Sequence, residues 1–239
     1  MINARGLQNY ADAARLLLAS QPIVQKRLPD TARLANACTT LRLGLLAARN
    51  AGAFANPWTI AGLGRREVRN CAVLARLWNP AITGIAGRSF LEATLRLTDP
   101  EGLRGIPVSD IAHRQYAVFC ESCLAGDGAN RLDIVVESVG GDAGWTIVFE
   151  AKIGAGLGDN QLERYSEVLK TRKAFTRRDT YLVYLSPRPL DEVGEKGMHL
   201  RWRDVAQAAR QFTKQCQTNA SEPERLIAAF GDHVADFDN

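Results

Sequence analysis

The chain has 239 residues, of which 46% are hydrophobic and 23% are charged, a composition typical of a folded domain that excludes a disordered chain. This length allows one large domain, or a core with a modest extension. The net charge of +4 permits a polyanionic partner without requiring one. The five scattered cysteines argue against a secreted disulfide framework, and no apolar run reaches the roughly 18 residues of a membrane span. We therefore expect a cytoplasmic protein with no leader and no membrane contact.

The first half of the chain has the spacing of helices. Apolar residues recur three and four positions apart over residues 10–20, 30–50, 65–78 and 89–97. Glycines and a proline interrupt this pattern over residues 51–64. We therefore divide the chain into an N-terminal helical extension, 1–64, and a core, 65–239.

From about residue 111 the pattern changes to that of strands. Strands are predicted over 116–123, 131–137, 145–152 and 181–186, with helices over 159–172, 203–216 and 223–230. The glycine-rich segment 138–144 is short enough to join the second and third strands as an antiparallel hairpin. The order of elements in this half is β-β-β-α-β-α, and a further helix closes the chain.

Three charged residues fall on the two strands of this hairpin. Glu150 and Lys152 lie two positions apart and share one face of their strand, and pairing would bring Asp133 beside them. Carboxylates and a backbone carbonyl are hard ligands for Mg²⁺ or Mn²⁺, and an ammonium group could orient water and stabilise charge on phosphorus. The alternative is a solvated ion pair between Glu150 and Lys152, and the residues alone leave both interpretations open.

These residues resemble the PD-(D/E)xK nuclease superfamily. Asp133, the triplet Glu150-Ala151-Lys152 and the segment from Gln161 to Tyr165 are similar to its small bacterial branch, in which a Q-x-x-x-Y helix follows the catalytic strand. The helix around Glu67, with Trp78-Asn79-Pro80 after it, is similar to the N-terminal core helix of the family. The resemblance covers about residues 67–186, and Leu132 stands where the proline of the family name would be.

The resemblance implies an α/β fold, with a restriction-endonuclease-like core whose mixed central sheet is flanked by helices. It also implies that Asp133, Glu150 and the Ala151 carbonyl bind Mg²⁺, with Mn²⁺ as a substitute. Lys152 would serve the attacking water, Gln161 would face the same site, and Glu67 would add a further acid. The implied activity is nuclease cleavage of nucleic acid, DNA rather than RNA, in defence against foreign DNA.

Basic residues elsewhere are candidate contacts for the nucleic-acid backbone. Five of them lie at and after the end of the Gln161 helix and one precedes Asp133: Lys170, Arg172, Lys173, Arg177, Arg178 and Arg131. A solvated helix end, and an ion pair in the case of Arg131, are the alternatives. An RNA-cleaving nuclease or toxin, a catalytically silent binding module, a homodimer and a partner protein all stay open at this point.

Overall fold

The computed structural model describes residues 30–52, 55–123, 131–140, 144–154, 178–188, 197–214 and 220–238. The chain divides into two units, Met1–Phe54 and Ala55–Asn239. In the first unit the described residues form helix α1, Thr31–Asn50, which begins where the Asp30 carboxylate accepts a hydrogen bond from the Ala32 N–H. Within these ranges no helix has the length and apolar character needed to cross a membrane.

The described part of the second unit contains six helices and five strands. In chain order they are α2 (Pro57–Ile60), α3 (Glu67–Trp78), α4 (Pro80–Thr98), α5 (Val108–His113), β1 (Tyr116–Cys123), β2 (Arg131–Ser138), β3 (Trp145–Ala151), β4 (Asp179–Leu185), β5 (Gly197–Leu200), α6 (Trp202–Lys214) and α7 (Glu222–Val234).

The strands form one mixed sheet in the order β1-β2-β3-β4-β5. The pairs β1·β2 and β2·β3 are antiparallel, whereas β3·β4 and β4·β5 are parallel. The predicted hairpin of β2 and β3 is therefore confirmed, with Val135 opposite Val148. A mixed sheet with flanking helices also confirms the predicted α/β, restriction-endonuclease-like fold.

One hydrophobic core joins a face of the sheet to α3, α4, α6 and α7. Trp78 at the end of α3 is fully buried, and its ring lies 4.8 Å from that of Phe149 on β3. Phe90 of α4 and Phe230 of α7 are equally buried. Burial of these large rings from several elements fixes the helices against the sheet.

The helix predicted over 89–97 is longer in the structure: α4 begins at Pro80, two residues after the end of α3. The Asn79 side chain accepts a hydrogen bond from the Ala81 N–H, and Pro80 occupies the first helical position, where its missing N–H costs nothing. Gly84 then adopts a φ of 61°, which bends α4 without ending it. Pro80 thus follows the end of α3 and is also the first residue of α4.

The division between the two units falls at 54/55. The segment after it packs on α7: the Asn56 amide donates to the Ala229 carbonyl, and the Trp58 indole donates to the Leu226 carbonyl at 3.2 Å. The Trp58 ring also meets Phe230 edge to face. Strand β5 was not predicted, because four residues are too few to show alternation.

Gly231 is expected to tolerate no side chain, because a Cβ there would lie 2.6 Å from the Ala209 Cβ of α6. Gly231→Ala should lower the free energy of unfolding by about 1 to 3 kcal/mol. Urea unfolding followed by tryptophan fluorescence measures this, since all four tryptophans lie in the second unit. Gly44→Ala on α1 is the control, because nothing lies within 4 Å of its added carbon. An unchanged midpoint for Gly231→Ala would contradict the α6–α7 packing.

Candidate active site

The end of β3 brings together the charged residues expected from the sequence. The paired register of β2 and β3 ends at Ile134 and Phe149, one step before Asp133 and Glu150. Beyond that point the Asp133 carboxylate accepts a hydrogen bond from the Ala151 N–H at 2.8 Å, so a side chain continues the contact between the strands. Asp133 therefore lies beside the triplet that begins with Glu150.

The Lys152 ammonium lies at the centre of this group. It donates to Glu150 Oε1 at 2.8 Å, to the Ala151 carbonyl at 3.0 Å and to Glu67 Oε1 at 3.3 Å. The Glu150 residue is only 1% exposed. This burial distinguishes the cluster from the solvated surface ion pair that the sequence left open.

Glu67 comes to the site from a distant part of the chain, as expected. It opens α3, and while its Oε1 contacts Lys152, its Oε2 accepts a hydrogen bond from the Ile153 N–H at 3.2 Å. Both carboxylate oxygens are thus engaged by groups that follow β3. Glu67 thus fixes the Lys152 side chain relative to the backbone that follows β3.

The surrounding charges keep Lys152 protonated. Burial would lower the pKa of its ammonium, but the hydrogen bond to Glu150 and the charges of Glu150, Glu67 and Asp133 outweigh burial and raise that pKa above its usual range. A group with a raised pKa holds its proton at neutral pH. Lys152 is therefore suited to donate hydrogen bonds and positive charge, not to act as a base.

Burial raises the pKa of the Asp133 carboxyl. The hydrogen bond from the Ala151 N–H and the nearby Lys152 charge act in the other direction, but burial outweighs them. Because this pKa is higher in the folded protein than in the unfolded chain, the ionised carboxylate destabilises the fold at neutral pH. That cost is lost as the pH falls through the folded pKa and the carboxyl takes up a proton.

Asp133→Asn is therefore expected to raise the free energy of unfolding of the metal-free protein at pH 7. Asparagine keeps the shape and can still accept from the Ala151 N–H. The difference from wild type should shrink as the pH approaches 3.8, the ordinary pKa of the carboxyl. Urea unfolding in a chelator, from pH 7 to pH 4, measures it. A difference that stays constant over this range would contradict the raised pKa.

The oxygen atoms of the cluster fit a hard divalent cation. Within the described ranges, no three His, Cys, Asp or Glu side chains form a metal-binding group. Mg²⁺ nevertheless needs only one or two carboxylates and keeps several waters. Asp133, Glu150 and the Ala151 carbonyl supply such a set, and the Lys152 ammonium already bonds to two of its members. These oxygens thus form a site that favours a cation.

The backbone around Lys152 is held from two sides. Its N–H donates to the Leu185 carbonyl of β4 at 2.8 Å, and its carbonyl accepts from the indole N–H of Trp202 at 2.8 Å. Trp202 opens α6, is fully buried and packs edge to face on Phe237. The first residue of α6 therefore fixes the peptide that carries the Lys152 side chain.

Trp202→Phe is expected to lower the free energy of unfolding by about 1 to 3 kcal/mol, because it leaves the Lys152 carbonyl without its donor in a buried place. Denaturant unfolding measures this loss. Trp58→Phe removes an indole donor that bonds to the Leu226 carbonyl instead of Lys152, and it is the control for the loss of tryptophan itself. If only the Trp202 variant also lowers catalytic activity, the indole positions Lys152; equal activity in both variants would contradict that role.

The structure adds residues to the site that the sequence did not indicate. Tyr184 on β4 pairs with Glu150, is 2% exposed, and burial raises its pKa to about 12. His199 on β5 pairs in turn with Tyr184, and its Nε2 lies 3.0 Å from the Ser186 hydroxyl. One polar side chain per strand thus follows the same line across β3, β4 and β5. Only the strand register, which the sequence does not contain, reveals this line.

An acid on β1 was also missed. The register pairs Cys120 with Ile134 and Ser122 with Leu132, so Glu121 and Asp133 lie between these pairs on neighbouring strands. Glu121 has a φ of 53°, a left-handed conformation that is unusual for a glutamate within a strand. The available signal is an acid within a strand that contains no other charged residue.

Other predicted residues are not brought to this cluster. Arg178 lies at the opposite end of the sheet, where it donates to the Ser138 carbonyl at 3.0 Å and pairs with Glu137. Arg131 opens β2, but its side chain is not among those the structure describes. The remaining predicted residues lie outside the described residues: Gln161, Tyr165, Lys170, Arg172, Lys173 and Arg177.

Comparison with known protein families gives a match over most of the second unit. A family model described as the PD-(D/E)XK nuclease superfamily matches residues 55–232. The match covers more than half of the chain and includes Glu67, Asp133, Glu150 and Lys152. No curated protein and no solved structure matches the chain significantly.

Proposed function

We propose that this chain, which belongs to the PD-(D/E)XK nuclease superfamily, is a divalent-metal-dependent nuclease that hydrolyses phosphodiester bonds, preferentially those of DNA. The observation that carries the proposal is the cluster at the end of β3, in which the half-buried Asp133 and Lys152 lie beside the buried Glu150 within the matched region. Membership alone supports a nuclease of this superfamily. The metal, the DNA preference and the role of each residue belong to the proposal.

In the proposed site Asp133, Glu150 and the Ala151 carbonyl hold Mg²⁺ or Mn²⁺. A bound divalent ion supplies charge that polarises the phosphate and lowers the pKa of a water. Each of the three protein ligands is an oxygen, which is the donor that these hard cations prefer. The cytoplasm, where we place the protein, supplies Mg²⁺ in abundance.

Lys152 acts in this proposal as a donor of hydrogen bonds and charge. During hydrolysis water adds to phosphorus and an ester P–O bond breaks, giving an alcohol and a phosphate monoester while a proton passes to solvent. Negative charge grows on the phosphoryl oxygens, and a protonated Lys152 beside them stabilises it and orients the water. Glu67, with both oxygens engaged, is a positioning residue for Lys152.

Defence against foreign DNA is the biological role we propose, by analogy with bacterial nucleases of this type. Gln161 completes the proposed site from the segment after β3. Backbone contacts are proposed for the basic residues Lys170, Arg172, Lys173 and Arg177.

Cleavage of supercoiled plasmid and of a structured RNA, side by side, tests the proposal. Each polymer is incubated with the full chain in Mg²⁺, in Mn²⁺ and in a chelator. Plasmid should be cut with either metal and remain intact in the chelator, and RNA should be cut more slowly. Cutting of RNA alone would reassign the enzyme to RNA, and no cutting of either polymer would leave a silent nuclease fold.

A further inference from the structure

The positive charge of the chain is unevenly divided between its two units. Residues 1–54 contain seven Lys and Arg against two Asp and Glu, which leaves 23 against 24 for residues 55–239. All of the net positive charge therefore belongs to the first unit. Codon usage can favour arginine over lysine, but it does not remove acids from one unit alone.

Helix α1 presents three of these seven basic residues to solvent. Arg33, Arg42 and Arg49 are all exposed, and no residue of the helix is buried. No Asp or Glu occurs between Thr31 and Asn50, and the acid that precedes the helix, Asp30, accepts a hydrogen bond from the backbone at its start. The three guanidinium groups thus have no acid on their own helix to neutralise them.

Arginines on the surface of the second unit have a different setting. Several of these arginines lie within ion-pair distance of an acid of the same unit: Arg96 with Glu92, Arg201 with Asp204, and Arg225 with Glu222. These groups contribute to the charge balance of a nearly neutral body. The arginines of α1, the described helix of the first unit, therefore differ from these surface arginines of the second unit in having no acid on their own helix.

We propose that α1 binds the sugar-phosphate backbone of nucleic acid through Arg33, Arg42 and Arg49. The planar guanidinium fork matches phosphate oxygens, and such contacts supply affinity without reading sequence. The inference rests on the proposed function, because that function identifies the bound nucleic acid as the substrate. It assigns affinity for that substrate to the first unit, whose charge is complementary to it.

Two other occupants fit α1 less well. A membrane-surface helix separates its apolar and basic residues onto opposite sides, whereas here Leu41 and Leu43 flank Arg42 and the leucines are interleaved with the arginines around the helix. A second copy of the chain offers no complementary charge, because its first unit is equally basic and its second unit is nearly neutral.

Salt-dependent binding of the full chain to a fluorescent DNA duplex tests the inference. The measurement is made in a chelator, so that it is independent of cleavage, and it compares wild type with the triple variant Arg33→Gln/Arg42→Gln/Arg49→Gln. Glutamine preserves helix propensity. The matched control, Arg96→Gln/Arg210→Gln/Arg225→Gln, removes the same charge from exposed arginines of the second unit.

The slope of log affinity against log salt should become shallower by about 2 to 3 in the α1 variant only, since each phosphate contact in a duplex contributes about 0.9. The KM for cleavage should rise in the same variant. Equal slopes in wild type and the α1 variant, or equal losses in both triple variants, would overturn the inference. Loss of binding to anionic phosphatidylserine vesicles with duplex binding intact would overturn it in favour of a membrane.

The two proposals fail in different ways. If wild type binds duplex through α1 but cuts no nucleic acid, the proposed function fails and the α1 contact stands. If wild type cuts plasmid and the α1 variant has an unchanged KM and salt slope, the nuclease stands and the α1 contact fails.

Discussion

Lys152→Ala is expected to lower the rate constant of plasmid cleavage roughly 10²- to 10³-fold, the usual loss when a donor aimed at developing charge is removed. The ammonium is held by Glu150, Glu67 and the Ala151 carbonyl, and its pKa is raised, so it carries its charge at neutral pH. Alanine removes that charge and its hydrogen bonds together. Single-turnover cleavage at saturating Mg²⁺ measures the loss.

The same variant should still bind divalent metal, because Lys152 contributes no oxygen ligand and its ammonium bonds to Glu150 Oε1 and the Ala151 carbonyl in the metal-free protein. Calorimetric titration with Mn²⁺ checks this. Lys214→Ala, at the end of α6, is the control for removal of a lysine outside the cluster. Cleavage that survives Lys152→Ala would move the activity to another site or to a contaminant.

Glu150→Gln is expected to abolish both metal binding and cleavage. The amide has one oxygen in place of two and no negative charge, and it sits against the Lys152 ammonium in a place that is 1% exposed in the wild type. Loss of the charge stabilisation that a metal supplies, several kcal/mol, lowers the rate by roughly 10³-fold or more, at 1.36 kcal/mol for each factor of ten.

Thermal unfolding reports the metal directly, because a ligand that binds only the folded protein raises Tm. Mg²⁺ should raise the Tm of wild type and leave that of Glu150→Gln unchanged. Glu92→Gln is the matched control, since this glutamate lies on the surface of α4 and pairs with Arg96. An equal rise in Tm for all three proteins would place the metal elsewhere.

The sequence predicts strands well where an apolar or alternating run spans seven or eight residues. Strands β1 to β4 and the hairpin of β2 and β3 follow from such patterns and from a short glycine-rich connection. Strand β5 and the start of α4 do not, because four residues show no period and Pro80 has the same appearance at a helix end and a helix start. Tertiary packing decides such positions.

The residues of the site differ in the same way: local strand pairing predicts some of them, and tertiary packing places the others. Asp133, Glu150 and Lys152 share a hairpin, so local pairing suffices to place them together. Glu67 was expected there only through the family resemblance, since more than sixty residues separate it from Asp133. Tyr184 pairs with Glu150 across a parallel register that depends on the connection between β3 and β4, and no local pattern indicates it.

We propose the cluster of Asp133, Glu150 and Lys152 as a metal-dependent catalytic centre. Anomalous diffraction from crystals of the full chain grown with Mn²⁺ tests it most directly. The expected result is a manganese peak at the carboxylates of Asp133 and Glu150, absent from crystals of Glu150→Gln. A peak confined to other residues, or one that persists in the variant, would contradict the account.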